Sequence, residues 1–525
     1  MSRSSFVERW KEELIAGVSS GLLLALSFPP FPMRFLSAVA LVPLLRYFIV
    51  CAGNGDGDRK RYLKRGFWTG FIFGVSFFLI LLFWVANLIP ESSARMPWLM
   101  VPALVLLVLY LSCYPALFSL AVSYLVKRFG ANALFAAPGI WSVIELARSK
   151  GELGFSWGAM ANALAVYPVA IQGASFYGLF GLSFVIVLVN VLLAFALFGH
   201  SNRRRLSSFI AAVVVVAAHL GWGAREIARF DYDAGEGERG IDVAVLQPNV
   251  DLGLKWNPAF RDTIFRQIED MTVQAAGRGP RLVIFPETAA PVSMSNFPVY
   301  RQRLKNLSRE SDVDILIGYV DHTFTGERWL GYNSAGLFDN EGRHRVQYNK
   351  VNLLPFGERI PFSQYIPALS RLNFGQANFE PGKLQTIFQS SVGKFGVLIC
   401  FESAFSGYTR RYVQEGAQFL VNITNDGWFG SRRGPIQHAE MAILRAVENR
   451  VTLLRSANTG ISMIVDPVGR VRKRIDLNVQ GIILGQIHTP VERPVYCRYG
   501  HLVFSIMAVV NIAAVLLFSS LLRRV

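Results

Sequence analysis

A chain of 525 residues that is 52% hydrophobic and only 17% charged is too apolar for an ordinary soluble enzyme of this length, which points to a membrane protein. The formal charge of +17 would suit a nucleic-acid partner only if the basic residues clustered on a folded polar domain. They do not: residues 230–495 hold 30 Lys and Arg against 27 Asp and Glu, a net of +3, and the apolar remainder holds the other +14.

Apolar runs long enough to cross a bilayer, about 20 residues each, fall at 12–31, 34–51, 66–89, 98–126, 131–147, 169–199, 206–224 and 500–521. These predict about eight transmembrane helices. The fifth run is short and contains Glu145, and only Pro29-Pro30-Phe31-Pro32 separates the first two. Ser27-Phe28-Pro29-Pro30 offers no small-x-small cleavage site, so the first run reads as a retained anchor. The run Gly53-Asn54-Gly55-Asp56-Gly57 follows a span and reads as a loop, not as a phosphate cradle.

Lys and Arg accumulate in short cytoplasmic loops. With the amino terminus inside, sixteen of them fall in inside segments, including Arg59, Lys60, Arg61 and Arg203–Arg205, against Arg34, Arg95, Arg148 and Lys150 outside. An even number of spans then leaves both termini in the cytoplasm. The expected organisation is a membrane domain over 1–229, an outer domain over 230–495, and an eighth span with the tail over 496–525. Glu145, an acid near the outer end of a span, is a functional candidate; pairing with Arg148 one turn on is an equally good structural account.

The polar, glycine-rich stretch 231–240 reads as a linker. After it, β-branched runs at Ile241–Leu246, Leu282–Phe285, Ile315–Val320, Phe395–Ile399, Phe419–Ile423, Leu453–Ser456 and Ile461–Val465 alternate with helical patterns at 258–275, 297–310, 403–415 and 437–450. This predicts a layered α/β domain. Three strand ends carry reactive groups: Phe285-Pro286-Glu287, Tyr348-Asn349-Lys350, and Ile399-Cys400-Phe401-Glu402. A thiol attacks a carbonyl as thiolate, so it needs a base, and the resulting oxyanion needs a donor. Glu287 suits the first need and Lys350 the second, while Glu358 could hold Lys350 in place. Glu402 should share a face with Cys400 if the strand continues. Taken singly, Cys400 could be a small buried residue and Glu287 a helix cap.

Four cysteines are too few for a disulfide framework, and the seven histidines show no paired ligand spacing, so neither metal nor cofactor is expected. Trp428 and Phe429, in a glycine-flanked segment, read equally as a mobile lid or as aromatics buried under a loop.

The three strand-end segments resemble the Glu-Lys-Cys triad of the nitrilase superfamily of carbon–nitrogen hydrolases. More specific are Leu354-Pro355-Phe356-Gly357-Glu358, Thr424-Asn425-Asp426-Gly427-Trp428-Phe429-Gly430, Gly434-Pro435-Ile436-Gln437-His438 and Arg445-Ala446-Val447-Glu448-Asn449-Arg450. With the apolar spans, these resemble the apolipoprotein N-acyltransferase family. Trp141, Glu145, Arg148 and Phe155-Ser156-Trp157 are similar to that family's segment at the outer membrane face. The resemblance implies an αββα nitrilase-like sandwich outside the bacterial inner membrane. It makes Glu287 the general base, Lys350 the oxyanion stabiliser and Cys400 the nucleophile, with Glu358, Phe401 and Glu402 in support and Trp256 in the substrate cleft. Phe401 stands where some members carry Tyr. The implied reaction moves an acyl chain from a phospholipid, phosphatidylethanolamine by expectation, through a Cys400 thioester to the α-amine of an S-diacylglyceryl apolipoprotein. The enzyme is expected as a monomer. Two rivals remain: a membrane-anchored amidase with the same triad, for which one anchor would suffice, and a transporter or receptor, in which Cys400→Ala would leave function intact.

Overall fold

The computed structural model describes residues 4–53, 59–88, 99–233, 241–366, 368–369, 377–488 and 492–521. The loop after Gly53, the outer loop containing Arg95 and the linker beyond Asp233 lie outside the described residues. Two compact units divide the chain, one made of residues 1–87, 98–227 and 499–525, the other of 88–97 and 228–498.

The first unit is helical: α1 (Ser4–Leu26), α2 (Val42–Gly53), α3 (Arg59–Leu81), α4 (Met100–Phe129), α5 (Ala137–Arg148), α6 (Pro168–Ile171), α7 (Ala174–Phe198), α8 (Asn202–Asp233) and the final helix Leu502–Leu521. Each of the eight apolar runs overlaps at least one of these helices. Among the described residues, α3, α4, α7 and α8 are long and apolar enough to cross a membrane, and the final helix carries a shorter apolar stretch. α2 and α5 have 12 residues each, about 18 Å of helix, short of a hydrocarbon core of about 30 Å. Hydropathy reads composition along a run and misses that part of each is 3₁₀, at Arg34–Ala38 and Ala131–Ala136. Close packing follows from small residues: a Cβ on Gly66, Gly70 or Gly74 of α3 would fall under 3 Å from Ser123, Pro115 or Ser112 of α4.

In the second unit, one six-stranded sheet has the order β12-β1-β2-β3-β4-β5 and the other β11-β10-β9-β8-β7-β6. The strands are β1 (Ile241–Gln247), β2 (Leu282–Ile284), β3 (Asp314–Phe324), β4 (Trp329–Phe338), β5 (His344–Asn349), β6 (Ile387–Ser390), β7 (Gly393–Ile399), β8 (Phe419–Thr424), β9 (Thr452–Ala457), β10 (Ser462–Val465), β11 (Val471–Ile475) and β12 (Gly481–Ile487). Helices α9 (Leu252–Lys255), α10 (Arg261–Ala276), α11 (Pro298–Glu310), α12 (Ser406–Gln414) and α13 (Arg433–Asn449) complete it.

The period of two along each strand builds the layers. Val243, Val245, Ile284 and Leu316 meet Val397, Ile399, Val421 and Leu454 in a core between the sheets. The alternate residues Ala244, Leu246, Val283 and Ile315 cover Phe265 and Ile268 of α10 and Leu304 of α11. At the centre of each sheet three strands run parallel, β1-β2-β3 and β7-β8-β9. Their carboxyl ends are where such folds build sites.

Candidate active site

Glu287 lies just past β2, where Gly318 on neighbouring β3 leaves room for it. A Cβ at Gly318 would stand 2.6 Å from the Pro286 carbonyl and 2.7 Å from Glu287 Cα. The carboxylate is fixed on both oxygens: Asn333 Nδ2 donates to Oε1 at 2.7 Å and the Asn425 backbone N–H donates to Oε2 at 2.7 Å. No helix follows for it to cap until Pro298.

Lys350 follows β5 with its side chain 1% exposed. Its Nζ lies 2.8 Å from Glu358 Oε2 and 4.0 Å from Glu287 Oε1. Asn333 Nδ2 also donates to Glu358 Oε1 at 2.9 Å, so one amide bridges the two carboxylates that flank the ammonium. Leu354 N–H completes Glu358 from the loop after Lys350.

Cys400 directly follows β7 and turns left-handed, with φ 54°. A non-glycine residue holds that conformation only against a steric cost. Its carbonyl accepts from Ser403 Oγ at 3.1 Å, His438 Nε2 at 3.2 Å and Asn422 Nδ2 at 3.3 Å. Three side chains thus fix the peptide that carries the thiol. The left-handed turn also ends the extended backbone, which corrects the expectation for Glu402. Instead of continuing the strand beside Cys400, it lies in the 3₁₀ turn Cys400–Ala404 and folds back, fully buried. Oε2 accepts the Ile399 N–H at 2.8 Å, while Oε1 accepts Tyr348 Oη at 2.7 Å and the N–H groups of Val351 and Asn352 at 3.0 Å. Glu402 therefore staples the segment after Lys350 to the segment that presents Cys400.

Burial and neighbours set the charges. Burial, reinforced by Glu287, pushes the Cys400 thiol well above its ordinary range, with Lys350 opposing. Burial also raises Glu287, against the pull of Lys350. For Lys350, burial alone would lower the ammonium, but Glu358, Cys400 and Glu287 together hold it above the usual lysine range. The resting thiol is thus protonated beside a carboxylate able to take its proton and a fixed positive charge. That is the arrangement a general-base attack on a carbonyl needs.

Behind Cys400 lies a buried polar cluster that residue spacing gave no role. Asp426 pairs with Arg455 Nη2 at 2.8 Å and with His438 Nδ1 at 3.0 Å. Asn422 is bonded to Arg455 as well as to the Cys400 carbonyl. Burial would raise Asp426, but Arg455 and His438 overcome it and hold the carboxyl at about 2; burial and Arg455 lower His438. The available signal was Arg455, a charge inside the apolar run Leu453–Ser456 that a buried strand tolerates only when paired. Asn333 gave no comparable signal.

The remaining candidates are more dispersed. Phe401 is buried edge-on against Phe405, with centroids 5.1 Å apart. Trp428 and Phe429 form a 3₁₀ turn directly after Asn425; both are half-buried, and the Phe429 ring lies 6.0 Å from His438. Trp256 lines a cavity in the same unit. Glu145 belongs to the helical unit and is buried, accepting the Met160 N–H at 2.8 Å. Arg148 turns instead to the Trp157 carbonyl at 2.5 Å and the Phe78 ring. Among the described residues the Glu145–Arg148 ion pair is not formed, because each is engaged by the segment 157–160 or its surroundings.

A carbon-nitrogen hydrolase family model matches residues 242–495, and that of the apolipoprotein N-acyltransferase N-terminal domain matches residues 20–192. Among solved structures, a mutant of the Nesterenkonia AN1 amidase from the nitrilase superfamily is 19% identical, with a TM-score of 0.38, covering 50% of this chain and 95% of its own. The apolipoprotein N-acyltransferase of Geobacter metallireducens is 33% identical over 93% of this chain and 92% of its own length. That of Allorhizobium ampelinum is 30% identical over 92% of this chain and 90% of its own. With both of its parts matched and relatives at this identity spanning nearly its full length, the chain belongs to the apolipoprotein N-acyltransferase family.

Proposed function

We propose that this membrane protein transfers a fatty acyl chain from phosphatidylethanolamine to the α-amine of S-diacylglyceryl apolipoproteins, with Cys400 as the carrier. The observation that carries this reading is the convergence of Glu287, Lys350 and Cys400, from the ends of three strands, on one buried site. In the first half-reaction the Glu287 carboxylate takes the thiol proton as Sγ attacks the ester carbonyl carbon. Lys350 donates to the oxyanion. Collapse breaks the carbon–oxygen bond, and the proton on Glu287 passes to the departing lysophospholipid alkoxide. In the second, the lipoprotein amine attacks the thioester, Glu287 accepts its proton, and Cys400 leaves as thiolate and is reprotonated. Both steps demand that water be kept from the thioester, which favours a buried base and a lipid-lined entrance. The loop after Lys350 exposes Phe356, Phe362, Tyr365 and Ile366, apolar side chains suited to lipid.

The same reading places the chain in the bacterial inner membrane as a monomer with about eight spans. Both termini lie in the cytoplasm and 230–495 in the periplasm, between a membrane domain at 1–229 and a last span at 496–525. The distribution of Lys and Arg between short loops supports that orientation. Support for Glu358 as the partner that holds Lys350, and for Glu402 as a positioning residue, comes from their contacts; Phe401 is assigned a supporting role with them, and Trp256, Trp428, Phe429 and Glu145 are assigned to the substrate cleft or lid. The test uses purified protein in nanodiscs, phosphatidylethanolamine with an alkyne-tagged acyl chain, and a biotinylated diacylated peptide. Tag captured on the peptide amine supports the reading; tag recovered only as free fatty acid contradicts it.

A further inference from the structure

The second unit holds a cavity of about 370 Å³ whose walls include Trp256, Arg261, Asn296, Phe297, His322 and Trp329. Trp256, Phe297 and Trp329 give it an aromatic lining, and among the described residues Arg261 is its one charged guanidinium and no carboxylate lines it. The Arg261 guanidinium lies 5.0 Å over the Phe297 ring, while the carboxylate of the adjacent Asp262 pairs with Arg303. The indole N–H of Trp256 is buried without an acceptor among the described residues. Nearby acids are committed elsewhere. Asp262 is bonded to Arg303 at 2.9 Å and Tyr300 at 3.2 Å. Asp321 points to the opposite face of β3 from Val320 and His322, where it accepts from Ser293 and Ser295. A guanidinium in the wall of a hollow lined by no carboxylate among the described residues describes an anion site.

The strand register connects this hollow to the reacting groups. Val320, a further wall residue, stands directly opposite Asn333 across the β3–β4 ladder, and His322 opposite Gly331. Directly opposed residues share a sheet face. Asn333 is the residue whose amide holds Glu287 and Glu358, so the cavity begins beside that bridge. His322 lies two residues, about 7 Å, further along the same face. On the Glu287 side, Lys255 Nζ donates to Thr288 Oγ1 at 2.6 Å and to the Glu287 carbonyl at 3.3 Å, which anchors Trp256 to the segment bearing the base.

We infer that this cavity binds the phosphate of the acyl donor's head group, with Arg261 as the donor. The inference rests on the phospholipid-to-thioester step proposed above and adds the residues that select a phosphorylated donor. Free inorganic phosphate shares the chemistry, so the test separates the two sources.

Full-length wild type, R261E and R261K in nanodiscs are given either phosphatidylethanolamine or p-nitrophenyl palmitate, which has an acyl ester but no phosphate. The rate of acyl-Cys400 formation is followed by intact mass. The ratio of kcat/KM for phospholipid to kcat/KM for the phosphate-free ester should fall about 30-fold in R261E, the scale of a lost charge-assisted hydrogen bond, and R261K should restore most of it. An unchanged ratio overturns the inference, and it does so also if inorganic phosphate inhibits the wild type, which would make the hollow a free-phosphate site. A defect confined to transfer onto a diacylated peptide overturns it too, assigning the cavity to the acceptor. If wild type is acylated by neither donor, the acyl-transfer reading fails and this subsite falls with it.

Discussion

The side-chain amide of Asn333 donates to Glu287 at 2.7 Å, and the same nitrogen reaches Glu358 at 2.9 Å. One neutral donor thus keeps two carboxylates in place on either side of a single ammonium. Without it, the base keeps the raising effects of burial and Glu358 and loses one that lowers it.

Asn333→Leu therefore shifts the acid limb of the acylation profile. As the proposed base, Glu287 works ionised, and loss of the donor raises its pKa, so the limb of kcat/KM moves to higher pH. A hydrogen bond to a charged group contributes about 1.5–3 kcal/mol, which corresponds to about 1 to 2 pH units. A pH series of thioester formation checks this; a profile that stays in place while the rate falls would assign Asn333 to packing alone.

Substitution at the reacting groups should be severe and specific to chemistry. Glu287→Gln keeps the shape of the side chain and its contact with Asn425, yet removes the proton acceptor. Lys350→Met removes the oxyanion donor, a type of loss that costs about 10²–10³ in rate. Both should lower single-turnover acylation by at least about 10²-fold. Thermal unfolding alongside distinguishes this from misfolding.

Gly318→Ala tests the backbone approach at Glu287. Its methyl would press on Pro286 and Glu287 at 2.6–2.7 Å, closer than any tolerated carbon contact, and β3 is held on both sides by ladder bonds. The base should be displaced, with acylation falling about 10²-fold for a shift of about 1 Å. Wild-type activity in this variant would contradict the tight approach.

Asp426 gives a stability prediction with a definite sign. Its folded carboxyl is held at about 2, below the unfolded value near 3.9. The stabilisation is therefore fully present above about pH 4 and is lost as pH falls through 2. Its size is on the order of 2 kcal/mol. Asp426→Asn should lower Tm at neutral pH and flatten the dependence of Tm on pH below 4. Calorimetry in detergent measures both; an unaltered acid dependence would show that the Arg455 and His438 contacts carry no such linkage.

Much of the second unit was legible because burial and strand period coincide. The runs of β1, β2 and β3 alternate between two cores, and those of β7, β8, β9 and β10 turn one face into the core between the sheets. β4 was not legible: Gly331, Asn333, Ser334 and Gly336 break its apolar pattern, with Asn333 there to bridge Glu287 and Glu358. β11, Val-Arg-Lys-Arg-Ile, is exposed over its first four residues, as an edge strand can be, and so lacks any apolar face. Glu402 was misread because period-two reasoning assumes extended backbone through Cys400, whose φ of 54° ends it. In the helical unit, hydropathy located the segments yet overestimated α2 and α5, whose helices are only 12 residues long.

The central claim is that Cys400 carries the acyl group. Wild type incubated with phosphatidylethanolamine, without acceptor, is measured as an intact protein before and after neutral hydroxylamine. The expected result is one added acyl mass that maps to Cys400, disappears with hydroxylamine, is absent in Cys400→Ala, and passes to a diacylated peptide when this is supplied. An adduct that persists in Cys400→Ala, or peptide acylation by that variant, would contradict it.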